Sequence, residues 1–111
     1  MLLPQSYYLH HDVVFLAKDL IGKYLFTKID GQLSGGIITE TEVSKGAILI
    51  RAIHATHGEE LMLKRTGKPQ MTPQVTDEPG KVSKALGITL ADNGELLQGK
   101  RIWIEDRGSR Q

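Results

Sequence analysis

A chain of 111 residues, 40% apolar and 24% charged, is long enough for one domain with a core of its own. It has no cysteine, which excludes disulfides, thiolate zinc sites and a cysteine nucleophile and agrees with a reducing interior. A net charge of +1 is not the footprint of a strongly basic nucleic-acid-binding domain, and no stretch approaches the length of a membrane span.

The first residues, MLLPQSYYLHHD, contain no basic segment followed by an apolar one. No signal peptide is expected, and an intracellular location is. Asp12 can cap a helix in which Val13, Leu16, Ala17 and Leu20 repeat at helical spacing, and Gly22 is placed to stop it. KYLFTKIDGQL then reads as a strand, an Asp30-Gly31 hairpin turn and a returning strand. The return passes through Gly35-Gly36, a bulge or bend, into IITETEV. SKG turns the chain, and AILIRAIH is a third strand, apolar almost throughout and so expected at the centre of the sheet.

Gly58 to Leu63 can start a short helix, and RTGKPQMTPQVT reads as a polar, proline-containing loop. In TDEPGKVSKALG, Thr76 or Asp77 can cap a helix, with proline near its first turn and Gly87 as its stop. A turn at Asp92-Asn93-Gly94 precedes RIWIED, the last strand. The order indicates one α+β domain over residues 1–111, built on an antiparallel sheet with short helices at its flanks.

Lys64, Arg65, Lys68, Lys81 and Lys84 fall in one region, and Lys100, Arg101, Arg107 and Arg110 in another. A solvated face with Glu59, Glu60, Asp77 and Glu78 interspersed accounts for the first group. His54, His57 and Glu59 lack a further ligand at a recognisable spacing and read as ordinary loop residues, so no metal is expected. Gly87, Gly94 and Gly99 are too far apart for a phosphate-binding loop. Trp103 in RIWIED reads as core.

Glu40 and Glu42 are two apart, so a regular strand would put them on one face with Ile38 beside them. Such a strand end can be a charged edge that resists aggregation. Arg51, however, interrupts a strand whose other residues are nearly all apolar. A buried arginine needs a carboxylate partner, and Glu40 or Glu42 on the neighbouring strand would supply one. The pair can be structural, or it can present a carboxylate to water for general-base work. Spacing alone leaves both readings standing.

The succession LAKDLIGKYL, GGIITETE, AILIRAIHATHG, EPGKVSKALGIT, NGELL and RIWIEDRG resembles the methylpurine-DNA glycosylase (3-methyladenine-DNA glycosylase) family, from about Tyr7 to Gly108. The resemblance implies a curved antiparallel sheet forming an open barrel or roll. It also implies metal-free, cofactor-free hydrolysis of the N-glycosidic bond of alkylated purines in base excision repair. It assigns the catalytic carboxylate to Glu42, the second Glu of the family's E-T-E motif, and its water-holding partner to Arg51. It assigns contact with the DNA backbone to Pro79, Gly80 and Lys81, where Glu78 replaces a family glycine; Lys84 on the same helix is expected to add a further phosphate contact.

The family carries a long segment between the E-T-E motif and the L-I-R-A strand, with the residues that sandwich a flipped base and wedge the duplex. Here Val43-Ser44-Lys45-Gly46 leads straight into AILIRA. The domain is therefore expected to be internally shortened near residues 43–46, with weak binding to DNA containing alkylated purines and some self-association. The competing readings are a non-catalytic remnant that binds nucleic acid or another partner, and an unrelated small ligand-binding barrel.

Overall fold

The computed structural model describes residues 1–9, 11–89 and 100–108. Helices α1 (Gln5–Leu9) and α2 (Val13–Asp19) lead into strands β1 (Tyr24–Ile29), β2 (Gln32–Ser44) and β3 (Ala47–His57). Helix α3 (Glu59–Thr66), a 3-10 turn (Pro73–Thr76), helix α4 (Pro79–Leu86) and strand β4 (Ile102–Glu105) complete the order. The strands form one antiparallel sheet, β3-β2-β1-β4, which stays open. This is the expected α+β architecture. The expected Asp92-Asn93-Gly94 turn, the NGELL block, Gly99 and Arg110 lie outside the described residues.

Local chemistry accounts for most of the boundaries. Asp12 caps α2 by accepting a hydrogen bond from the Phe15 N–H at 2.8 Å, which satisfies one of the orphan donors of the first turn. Asp30 and Gly31 both take positive φ, 53° and 75°, the two-residue turn whose twist matches paired strands. Lys45 and Gly46 repeat that solution between β2 and β3.

The core lies on one face of the sheet. Leu25, Ile38, Ile53, Ala55, Ile102 and Ile104 meet Leu3, Leu20, Met62, Val82, Ala85 and Leu86 from the flanking segments. Thr27 and Ser34, buried polar residues beside it, are paired. The Thr27 hydroxyl donates to the Leu86 carbonyl at 2.7 Å and is hydrogen-bonded to Ser34 Oγ. Arg65 donates to Ser34 Oγ and to the Ala85 carbonyl, closing the carbonyl end of α4. Arg65 is thus a strut between α3, β2 and α4 rather than part of a basic surface.

Four expectations are corrected. Among the described strands, the third is at the sheet edge, not its centre; its apolar residues are matched by helices and the 3-10 turn, and its Ala47–Ile50 end is only partly covered. Helix α4 starts at Pro79 with Glu78 in the capping position and no side-chain cap, because the Thr76 hydroxyl donates instead to the Ile53 carbonyl at 2.7 Å. The stretch read as a loop contains the end of α3 and the 3-10 turn. Finally, the β2–β3 ladder is irregular. Ile38 pairs with Ile53 and Glu40 with Ala52, leaving Thr39 as an extra residue; Thr41 pairs with Ile50, leaving Arg51 extra on the other strand. The two bulges compensate. Ile48 and Ile50 therefore pack against the same core as Ile53 and Ala55 across a three-residue step, and Ile38 no longer sets the face of Glu42.

Candidate active site and DNA-contact helix

Beyond the bulges, the Thr41 hydroxyl donates to the Ala17 carbonyl of α2 at 2.6 Å. Thr41 therefore faces the helices, and alternation turns Glu42 to the opposite face. Glu42 stands across from Leu49, with Arg51 at the diagonal position two residues further along β3, within reach of long side chains. The Arg51 Nη1 donates to Glu42 Oε1 at 2.7 Å, a length typical of charge-assisted bonds. The bulge that makes Arg51 an extra residue is the kind of local irregularity that re-aims a side chain.

Of the two glutamates the sequence offered as partner, Arg51 holds Glu42. The arginine is not buried, however. Its side chain is 39% exposed and that of Glu42 48%, because nothing described covers this end of the hairpin. An exposed pair of this kind stabilises the fold by only about 0–1 kcal/mol. It leaves Glu42 Oε2 without a protein donor among the described residues. A carboxylate with one oxygen held and the other open to solvent can orient a water and take its proton.

Among the described residues, the main clefts are lined by neither member of the pair. A cleft of about 340 Å³ lies beside it along β3, lined among others by Thr39, Ala52, His54, Glu59, Thr72 and Asp77. Neither Glu42 nor Arg51 lines it. His57 is hydrogen-bonded to Thr56 and packs edge-on against Phe26. Among the described residues, no three His, Asp or Glu side chains gather as a metal site would require. Among the same residues, no helix is long and apolar enough to cross a membrane.

Pro79, Gly80, Lys81 and Lys84 all lie on α4. The first-turn N–H groups of Gly80 and Lys81 precede the first intrahelical bond, which runs from Val82 to Glu78, so they point outward from the positive end of the helix. Lys81 is engaged, at 3.1 Å from Asp77 and 3.4 Å from Glu78. The hydrogen bond to Asp77, and then the charge of Asp77 and Glu78, raise its pKa above the ordinary lysine value. Lys81 also lines a shallow concavity of about 240 Å³ with Lys68, Gln70 and Gln74. Lys84 is exposed one turn further on. A phosphate arriving here must compete with two carboxylates for Lys81.

The sequence reading missed the surroundings of Trp103. It stacks on Phe26 and donates from Nε1 to Glu105 on the sheet face opposite the helices, outside the main core. The alternation of aromatic residues in YLFTKI and RIWIE was the available signal.

The methylpurine-DNA glycosylase (MPG) family matches residues 43–111. A protein of Chlamydia felis named as a 3-methyladenine DNA glycosylase is 30% identical over 159 residues, covering 96% of this chain and 81% of that protein. A similarly named protein of Chlamydia abortus is 29% identical over 157 residues, covering 96% and 83%. One from Rhodopseudomonas palustris is 47% identical over 71 residues, covering 64% and 34%. The 159-residue span exceeds the 111 residues available here. Within it, the Chlamydia felis protein carries residues for which this chain has no counterpart.

Proposed function

The chain belongs to the methylpurine-DNA glycosylase family, and on that premise we propose that Glu42 and Arg51 are the water-holding pair of a glycosylase site. The family's function is of the 3-methyladenine/methylpurine DNA glycosylase type, and DNA is the partner it implies. The observation that carries the residue assignment is the 2.7 Å bond from Arg51 Nη1 to Glu42 Oε1, with the second carboxylate oxygen left open.

An alkylated purine is a cationic leaving group, so its glycosidic bond needs little help to break. As it breaks, its electron pair goes to the purine nitrogen and neutralises the base, while the sugar becomes oxocarbenium-like. Glu42 stabilises that positive charge and orients a water against C1′. The water oxygen forms the new bond to C1′ and its proton passes to the Glu42 carboxylate. Arg51 is a positioning residue that fixes the carboxylate. Pro79, Gly80, Lys81 and Lys84 carry the contact with the DNA backbone, and an intracellular site of action goes with this reading.

The domain is taken as a single unit over residues 1–111, shortened near 43–46. The longer matched span of the Chlamydia felis protein supports the shortening, as does the two-residue turn that joins β2 directly to β3. The chain then holds the water but lacks the part that would grip a flipped base, and flipping is required before attack in a duplex. The exposure of the pair and the absence of its residues from the neighbouring cleft also favour a second reading, a non-catalytic remnant that binds nucleic acid. Exposed Val43 and Leu49 on the hairpin support self-association.

A single-turnover excision assay on duplex DNA with one methylated purine tests the first reading. Slow excision that disappears in Glu42→Gln supports it; excision unchanged by that substitution removes Glu42 from the reaction. With no excision at all, a gel-shift titration decides whether the remnant reading stands.

A further inference from the structure

The sheet has a second face, and its composition is unlike that of an ordinary solvated surface. The registers place Trp103 on β4 beside Phe26 on β1, and Phe26 beside Gly35 on β2, whose β3 partner is His57. In the next row, Glu105 stands beside Tyr24 and Tyr24 beside Ile37. At the other end, Lys28 stands between Leu33 and Arg101, whose carbonyl accepts the Lys28 N–H. Alternation puts these residues on the face opposite Leu25, Ile102 and Ile104.

The rings are ordered. Phe26 and Trp103 stack with centroids 5.6 Å apart at 24°, and Tyr24 and Phe26 with centroids 5.8 Å apart at 11°. Phe26, at the centre, is 1% exposed, whereas Tyr24 and Trp103 keep part of their surface in solvent. The Arg107 guanidinium lies 5.0 Å from the Tyr24 ring and 4.8 Å from the Phe26 ring. Glu105 fixes the arrangement by accepting from both Trp103 Nε1 and Arg107 Nε. Burial works to raise the Glu105 pKa; these two bonds, with the charges of Arg107 and the N-terminal amine, outweigh it and leave it below the ordinary value.

We propose that this face is a binding site for single-stranded nucleic acid. Unpaired bases stack on Trp103 and Tyr24, and the phosphates between them meet Arg107 and Lys28. Aromatic rings on an open sheet face beside cations fit this ligand because every base has a π-face and every linkage a negative charge. A duplex keeps its bases stacked on each other and cannot offer them to the rings. The inference goes beyond the glycosylase reading and does not use Glu42, Arg51 or α4.

Trp103 is the chain's single tryptophan, so its emission reports on its own site. The experiment titrates the full chain at low salt with thymidine and uridine oligomers of about ten nucleotides, within the span one such sheet covers, and with a duplex of the same length. Labelled-oligomer anisotropy is read in parallel. Saturable quenching by either oligomer, tighter than by the duplex, is the expected result; whichever oligomer binds better identifies DNA or RNA as the natural strand.

Arg107→Ala, at an exposed position, should weaken binding, and Tyr24→Leu should weaken it about tenfold, the scale of one lost stacking contact. Trp103→Phe should retain binding by anisotropy. Lys18→Glu, on α2, should change it far less. Absence of both signals up to about 0.1 mM, the weak end of non-specific binding, overturns the proposal. So does duplex binding of equal strength, or a Lys18→Glu effect as large as that of Arg107→Ala. None of these readouts depends on excision, so this proposal and the glycosylase reading fail separately.

Discussion

Arg51 reaches Glu42 from a strand position that looks like core in the sequence and is 39% exposed in the fold. That difference sets its energetic role. Arg51→Ala should cost no more than about 1 kcal/mol, a shift of roughly 4–8 °C in Tm for a domain of this size. Thermal unfolding of the two proteins checks this, and a loss well beyond that range would show the pair to be buried and structural. The need for a carboxylate near Arg51 was legible because a charge in an apolar run requires an explanation. Its exposure was not, because burial depends on what covers the hairpin. Tyr8 presents the opposite case. Its hydroxyl is buried with no hydrogen-bond partner among the described residues, and burial raises its pKa from 10.0 to about 12. The unfolded chain therefore releases this proton first, and the Tyr8 contribution to stability is lost as pH rises from about 10 towards 12, by on the order of 1–2 kcal/mol. Tyr8→Phe should remove that part of the alkaline loss and hold or raise Tm at neutral pH, since it deletes an unsatisfied group. A marked drop in Tm at neutral pH would mean that the hydroxyl has a partner.

Strands β2 and β3 owe their registration to features that period-2 reading cannot see. The Gly35-Gly36 irregularity was legible, and the structure adds its cause. A Cβ on Gly35 would collide with the Phe26 ring, and one on Gly36 with the His54 carbonyl. The first clash involves a ring already held by Trp103, Tyr24 and His57; the second involves backbone. Gly36→Ala should therefore destabilise the domain by on the order of 1–3 kcal/mol or more, as overpacking does. Chemical denaturation measures it, and an unchanged midpoint would show that β3 can shift away. The bulges at Thr39 and Arg51 left only an indirect trace. Ile48, Ile50, Ile53 and Ala55 all meet the core, and the three-residue step between Ile50 and Ile53 marks the break. The start of α4 was misplaced for a comparable reason. Thr76 is a good capping residue by type, but its hydroxyl is taken by the Ile53 carbonyl, a partner 23 positions away.

Across the whole molecule, one face of the sheet carries the core while the far end of the β2–β3 hairpin exposes Val43 and Leu49. Edges of this kind invite pairing with another chain. Sedimentation at several concentrations should therefore show self-association, and a monomer throughout would count against an uncovered apolar surface. On the proposed reading, affinity for duplex DNA should be weak, steeply salt-dependent and indifferent to a methylated base, since α4 would supply phosphate contacts and the shortened hairpin no base pocket. A titration at two salt concentrations with methylated and unmethylated duplexes tests that statement, and tight lesion-selective binding would contradict it. The α+β class and the order of α2, the four strands, α3 and α4 were legible because hairpin turns, caps and periodicity are local, whereas α1 and the 3-10 turn were not read. What covers each face was not, because it depends on contacts between distant segments.

On the proposed reading, Glu42, held by Arg51, still activates water without the part that would grip a flipped base. Single-turnover release of a methylated purine from a single-stranded oligonucleotide tests it most directly, because no base has to be extracted from a duplex. Release should be faster than in the protein-free control and faster than from the matching duplex, with the gain lost in Glu42→Gln. Release equal to the protein-free control, or a gain that survives Glu42→Gln, would contradict it.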